Sequence, residues 1–255
     1  MKILVTGGNG LIGKAFVKAQ KKTFDIVAPT SEQMDIFDAR SVDEVFSNNK
    51  FDAVLHLAGL VTSNKVAPQE DDALIMFTNI QHAAARHGVK KLIVLCDGPA
   101  DAGWGKKLTG TLAAKDKITT VLRVFGVYGS GGTRPVTKIV AAASHGKKQI
   151  VIDRDRVISA VSVEDAVKVI ALLLKKDAPK GDYNLVSGDT MSYLEIAKAM
   201  RRLVRKDGFD LEIVVKNDAP DSDYTASNEA LLAVLPYKFT SISAGVKKLY
   251  NDLKD

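Results

Sequence analysis

The sequence predicts an α/β protein, a doubly wound parallel sheet with a small C-terminal α/β lobe. Three observations lead there. The chain opens on an apolar strand that runs into a glycine-rich turn and then a helical pattern (Ala15, Phe16, Ala19). Strand-like and helix-like segments then alternate with short connections, the signature of a parallel sheet covered on both faces. Finally, Lys91-Leu92-Ile93-Val94-Leu95-Cys96 is nearly all apolar, as a central parallel strand must be.

Taken in order, strands are expected at 2–6, 24–28, 53–57, 91–96, 119–124 and 183–186. Helices are expected at 11–21, 41–48, 72–87, 104–115, 135–145, 163–176 and 192–206. The segment Asp71 to His87 carries a helical stripe at Leu74, Ile75, Phe77, Thr78 and Ile80. After about residue 178 the pattern changes: a short strand at Leu211 to Val215 mixes with helices, and the tail from Ser227 reads as helical. The opening turn is Gly7-Gly8-Asn9-Gly10-Leu11-Ile12-Gly13, between a strand and a helix, where such a motif holds a dinucleotide. Gly7 allows the tight turn, Gly10 lets a pyrophosphate approach, and Gly13 lets the helix pack closely on the strand. The helix N-terminus, with Leu11 and Ile12, offers free N–H groups and partial positive charge. The organisation expected is a Rossmann-type dinucleotide-binding domain over 1–177 and a small substrate-binding lobe over 178–255, with part of 126–150 contributing.

Composition narrows the function classes. The chain has 255 residues, 46% hydrophobic and 26% charged, ordinary for a globular protein with a full core. One cysteine, Cys96, excludes an internal disulfide and points to a reducing compartment. The first strand begins at residue 2, and the longest apolar run, Val169 to Leu174, is far too short to span a bilayer. A cytoplasmic protein without membrane contact is expected. The net charge of +6 comes from lysines in scattered pairs, not a long run, so no nucleic-acid partner is expected. The four histidines form no metal-ligand pattern: His82 and His87 share a helix but stand five apart, and His56 and His145 lie elsewhere.

Several segments together resemble the extended short-chain dehydrogenases/reductases, the NAD-dependent epimerase/dehydratase family. These are Gly7-x-x-Gly10-x-x-Gly13, Leu55-His56-Leu57-Ala58-Gly59, Met34-Asp35-Ile36, Thr78-Asn79-Ile80, Leu122-Arg123-Val124-Phe125-Gly126-Val127-Tyr128-Gly129 and Gly181-Asp182-Tyr183-Asn184-Leu185. The resemblance implies that Leu57, Ala58 and Gly59 line the cofactor, and that Asp35 and Ile36 contact its adenine. Within that family, Asp221 to Asn228 and Leu235-Pro236-Tyr237-Lys238-Phe239-Thr240 are similar to the end of the GDP-L-fucose synthase group. The activity implied is that of a nucleotide-sugar epimerase or reductase. The resemblance also implies a homodimer through the helices at 72–87 and 104–115.

The family's chemistry uses a Ser or Thr, and a Tyr four residues before a Lys. This chain departs from it. The strand that should end in serines ends in Cys96-Asp97-Gly98-Pro99, and the helix that should open with tyrosine reads Gly103-Trp104-Gly105-Lys106-Lys107. Lys107 fits the lysine position, but Gly103 and Trp104 cannot transfer a proton. Substitute candidates are Asp97, as a base at the strand end, and Cys96, as a thiol there. For each the plainer alternative is favoured: a turn-forming Asp-Gly-Pro, and a small buried hydrophobe. Lys107 bonding the nicotinamide ribose stands beside a solvated surface lysine. For the cofactor, the second strand ends Val27-Ala28-Pro29-Thr30-Ser31 with no carboxylate for a ribose 2′-OH, which tilts the expectation to NADP over NAD. Two readings stay open: an enzyme with a rebuilt catalytic centre, and a binding protein that keeps the dinucleotide pocket without turnover.

Overall fold

The computed structural model describes residues 1–59, 70–98, 118–176, 180–217 and 223–254. The first elements are β1 (Lys2–Thr6), α1 (Leu11–Gln20), β2 (Asp25–Val27), α2 (Ala39–Ser47), β3 (Ala53–His56), α3 (Glu70–Arg86), β4 (Lys91–Asp97) and β5 (Thr119–Val124). There follow β6 (Val127–Tyr128), α4 (Pro135–Ser144), β7 (Gln149–Arg154), β8 (Val157–Ser159), β9 (Val161–Ser162) and α5 (Val163–Lys175). The last are β10 (Gly181–Asn184), β11 (Thr190–Ser192), α6 (Tyr193–Lys206), β12 (Glu212–Asn217), α7 (Glu229–Val234) and α8 (Ile242–Asp252). The helix expected at 104–115 lies outside the described residues. Two compact units result: Met1–Arg123 with Ala166–Tyr183, and Val124–Asp165 with Asn184–Asp255.

The first unit is built on a six-stranded sheet of order β10-β5-β4-β3-β1-β2. β1 pairs in parallel with β2 and β3, and β3 with β4, with Ile3 beside Ala53 and Ala53 beside Lys91. Ile3 to Val5, Ala53 to Leu55 and Leu92 to Cys96 are apolar without a break because both faces of the sheet are covered. On one face Leu4, Val54, Leu92, Val94 and Cys96 meet Val42 and Phe46 of α2 and Phe77, Ile80, Ala83 and Ala84 of α3 in one buried cluster. The residues between them, Ile3, Val5, Ile93 and Leu95, are buried as well. β2 starts one residue later than expected because Phe24 turns inward and stacks on Phe16 of α1, ring centres 6.2 Å apart. Asp38 sets the start of α2, its carboxylate accepting the Arg40 N–H at 2.9 Å. Lys91 donates to the Leu174 carbonyl at 3.0 Å, which closes the last turn of α5.

The second unit packs α4, α6 and α8 around Tyr128, Ile150 and Ile152. Its strands are short pairs: β7 with β12 in parallel, β6 with β9 in parallel, and β8 with β11 antiparallel. Ser192 and Glu195 form a reciprocal capping box at the start of α6, with bonds of 3.1 and 2.7 Å. The tail expected as one helical stretch is two helices, because Pro236 has no N–H to continue α7. Two carboxylates tie this tail down. Asp165, 2% exposed, accepts the Tyr237 hydroxyl at 2.7 Å and the Thr240 N–H at 2.8 Å. Asp189 accepts the Ile242 N–H at 2.9 Å. Burial alone would raise the Asp165 carboxyl, but the hydrogen bonds from Tyr237, Thr240 and Ser162 outweigh it and hold it below the usual carboxylate range.

Candidate functional site

Strand order fixes where a ligand can approach. From β1 the chain steps to β2 on one side, then returns to β3 on the other. That reversal opens a crevice at the carboxyl ends of β1 and β3, the position where open parallel sheets bind ligands. The glycine turn follows β1, and Leu57-Ala58-Gly59 follows β3, so both predicted segments border this crevice.

The turn is shaped by close backbone approach. Gly7 has φ +68°, and a Cβ there would stand 2.8 Å from the Ala58 nitrogen and from the Leu57 carbonyl carbon. A Cβ on Gly13 would overlap the Gly7 carbonyl oxygen and lie 2.8 Å from the Gly8 Cα. These two positions therefore exclude any side chain. Gly10 is the N-cap of α1, with ordinary backbone angles and no side-chain cap. No acidic residue occupies the first turn, so the N–H groups there face no carboxylate of their own helix. Gly10 is exposed while Ile12 and Gly13 are buried. An uncapped helix start at the end of a central strand is an anion site.

A buried clamp joins the two strand ends. Thr6 Oγ1 accepts the Leu57 and Ala58 N–H groups at 3.2 and 3.3 Å and lies 2.8 Å from His56 Nδ1. With both amide protons aimed at Oγ1, the hydroxyl proton goes to Nδ1, and the imidazole carries its own proton on Nε2. Nε2 is buried and has no hydrogen-bond partner among the described residues. Burial holds His56 neutral, its pKa lowered to about 4.

Beyond β2, Met34 is buried while Asp35 and Phe37 are exposed. Asp35 Oδ1 accepts the Phe37 N–H at 2.9 Å, and the Asp35 N–H donates to Ser41 Oγ at 3.0 Å. Asn79, from α3, donates to the carbonyls of Ile36 and Phe37 at 2.9 and 3.0 Å. The structure thus brings Asp35 and Ile36 together with Asn79, three positions that the sequence motifs had picked out separately.

At the end of β4, Cys96 is fully buried, and its sulfur lies 3.6 Å from Arg123 Nη1. Arg123, 2% exposed, forms a two-pronged ion pair with Asp182: Nε to Oδ1 at 2.7 Å and Nη2 to Oδ2 at 2.5 Å. This pair ties edge strand β10 to β5. Sequence reasoning missed it, although an arginine inside an otherwise apolar strand is itself a signal, since a buried cation needs a partner. The Thr6–His56 clamp was missed too. Lys107, Gly103 and Trp104 lie outside the described residues, as does the side chain of Asp97. Among the described residues no group of His, Cys, Asp and Glu could hold a metal ion, and no helix is long and apolar enough to cross a membrane.

Comparison with known proteins agrees with this geometry. Residues 3–96 match the model of the NAD dependent epimerase/dehydratase family. GDP-6-deoxy-D-talose 4-dehydrogenase of Aggregatibacter actinomycetemcomitans is 28% identical, covering 99% of this chain and 98% of that one. Among solved structures, GDP-mannoheptose C4 reductase from Campylobacter jejuni, with NADP bound, superposes with TM-score 0.77 at 19% identity, covering 100% of this chain and 98% of that one. A GDP-L-fucose synthetase from Naegleria fowleri superposes equally well, TM-score 0.77 at 17% identity, over 98% and 92% of the two chains. At these identities the solved structures establish the fold, a Rossmann-type parallel sheet. By sequence, the stretch that matches the model of the NAD dependent epimerase/dehydratase family carries the Gly7–Gly13 turn, the Asp35–Phe37 loop and the Thr6–His56 clamp.

Proposed function

We propose that the chain binds NADP or NAD across the carboxyl ends of β1 and β3 and acts on a nucleotide sugar, as an epimerase or reductase of the extended short-chain type. The observation that carries this reading is the Gly7–Gly13 turn. Its backbone is packed so tightly that no side chain fits at Gly7 or Gly13, and it delivers an uncapped helix N-terminus to the crevice. In such a site Leu11, Ile12 and Gly13 offer backbone N–H groups to the pyrophosphate, Asp35 and Ile36 meet the adenine, and Leu57 to Gly59 line the ribose and nicotinamide side. When bound, the cofactor supplies hydride chemistry, and the protein's part is orientation and exclusion of water. NADP is preferred because no carboxylate stands at the end of β2. The GDP-sugar activities of the relatives named above make a GDP-linked sugar the first substrate to try.

The second reading, a dinucleotide-binding protein without turnover, draws on the catalytic segment. Glycine and tryptophan stand at 103 and 104, where the family's tyrosine is expected. Cys96 is sealed in the core beside Arg123, which favours the small-hydrophobe role over a reactive thiol. Lys107 and Asp97 are then the remaining candidates for handling a proton.

Titration with NADPH, NADP, NADH and NAD tests the shared part of both readings, and micromolar binding of one of them is expected. Incubation with NADPH and a panel of 4-keto nucleotide sugars separates them. Cofactor oxidation that is lost in Lys107→Ala establishes an enzyme; tight binding without oxidation establishes the second reading. Absence of binding by all four cofactors refutes the proposal.

A further inference from the structure

The loop between β2 and α2 is held in an unusual way for an exposed segment. Met34 and Ile36 pack against the core, but Asp35 and Phe37 are exposed, so packing alone does not fix the stretch between them and α2. Its polar groups are instead closed one by one. The Asp35 N–H goes to Ser41, the Phe37 N–H to the Asp35 carboxylate, and the Arg40 N–H to the Asp38 carboxylate. All of these bonds lie within six residues of one another in sequence. The carbonyls of Ile36 and Phe37 have a different partner, Asn79 on α3, more than 40 residues along the chain. A side-chain amide has two N–H protons, and both of these are spent here, one on each carbonyl at 2.9 and 3.0 Å. Consecutive carbonyls held by one rigid amide fix the peptide planes on both sides of the Phe37 Cα. With the Phe37 N–H bound to the Asp35 carboxylate, they anchor the peptide plane that follows Ile36 and the end of the Asp35 turn.

We infer that Asn79 is a positioning residue for the adenosine half of the cofactor: it holds the Asp35–Phe37 backbone in the shape that meets the adenine. This rests on the proposal that a dinucleotide binds here. Helix α3 thereby carries part of the nucleotide specificity without touching the ligand. The loop is prearranged before binding, so its ordering does not have to be driven by the ligand.

The test separates the two halves of the cofactor. ADP-ribose and reduced nicotinamide mononucleotide are titrated, beside NADPH and NADH, into full-length wild type, Asn79→Ala and Asn79→Asp. Asn79→Asp keeps the shape but presents acceptors to two carbonyls, so it serves as a second variant should Asn79→Ala fold poorly. Loss of two such bonds is expected to weaken ADP-ribose and the whole cofactor about tenfold, with the mononucleotide unchanged. A melting curve is recorded for each variant. Equal weakening of both halves together with a lowered melting temperature shows a merely structural role and overturns the inference, as does unchanged ADP-ribose affinity. Failure of wild type to bind any of the four refutes the dinucleotide proposal itself, an outcome distinct from those two.

Discussion

The Arg123–Asp182 pair offers the sharpest test of how the sheet is held together. Asp182→Ala removes the carboxylate that meets Nε and Nη2 of a guanidinium only 2% exposed. Arg123 keeps its other contacts, among them the Cys96 sulfur at 3.6 Å, but loses the carboxylate charge that meets the buried guanidinium on two sides. Breaking one side of a buried ion pair costs about 3–5 kcal/mol. Asp182 is 30% exposed, so water entering the space it leaves offsets part of this, and the lower end, about 3 kcal/mol, applies. In a chain of this size 1 kcal/mol corresponds to about 2–4 °C, so the first unit should melt about 6–12 °C lower. Calorimetry at neutral pH measures this directly. Replacing both partners, Arg123→Met with Asp182→Leu, should recover most of the loss, because no charge is then left buried. A single variant that melts within about 2 °C of wild type, or a double variant no better than the single, would refute the reasoning.

The glycine turn should separate folding from binding. Gly7→Ala forces a positive φ and a backbone collision, costing at least about 1–2 kcal/mol. Gly10→Ala meets only the Gly7 carbonyl, at 3.3 Å, and should keep a near-normal melting curve while weakening cofactor binding at least about tenfold. His56 has a folded pKa lowered from 6.5 to about 4, so the native state binds fewer protons than the unfolded chain between those values. Its contribution is therefore fully present above pH 6.5 and is lost as the pH falls toward 4, by up to about 3 kcal/mol, and His56→Gln should flatten that limb in urea melts. Asp165 has a depressed pKa, so its contribution is present above about pH 4 and is lost below it. Tyr237→Phe should cost about 1–2 kcal/mol at neutral pH in denaturant titrations, and much less in acid, where the carboxylate is protonated.

What the sequence disclosed, and what it withheld, follows from distance along the chain. The glycine turn, β4 and part of the α3 stripe were readable because each is written in consecutive or regularly spaced residues; Phe77 and Ile80 face the core, but Ile75 is exposed and Ala73 and Met76 take its place. The boundaries of the central strands came within a residue or two for the same reason. The small strands β6, β8, β9 and β11 have two or three residues each, too few to show a period. β7 did alternate, with Ile150 and Ile152 buried and Val151 exposed, but its run of three apolar residues hid the rhythm. Among the site's supports, Thr6 lies 50 residues from His56, and Arg123 lies 59 from Asp182. Such pairs are visible only once the topology has brought the strands together. The capping box at Ser192 and Glu195, by contrast, was there to be read as Ser-x-x-Glu before a helical pattern, and would have set the start of α6 at Tyr193.

The division of the chain into units has a consequence for its synthesis. The first unit is finished only by residues 166–183, so the chain leaves it after Arg123, returns after Asp165, and leaves again after Tyr183. A ribosome therefore completes β5 long before β10 exists, and during that interval the β5 edge is bare and Arg123 lacks its carboxylate partner. Nascent chains stalled between 124 and 180 would display an open sheet edge, the surface most prone to aggregate and to recruit chaperones. For the same reason no single cut can release the first unit intact. Isolating it requires joining residue 123 to residue 166 as well as ending the chain after residue 183.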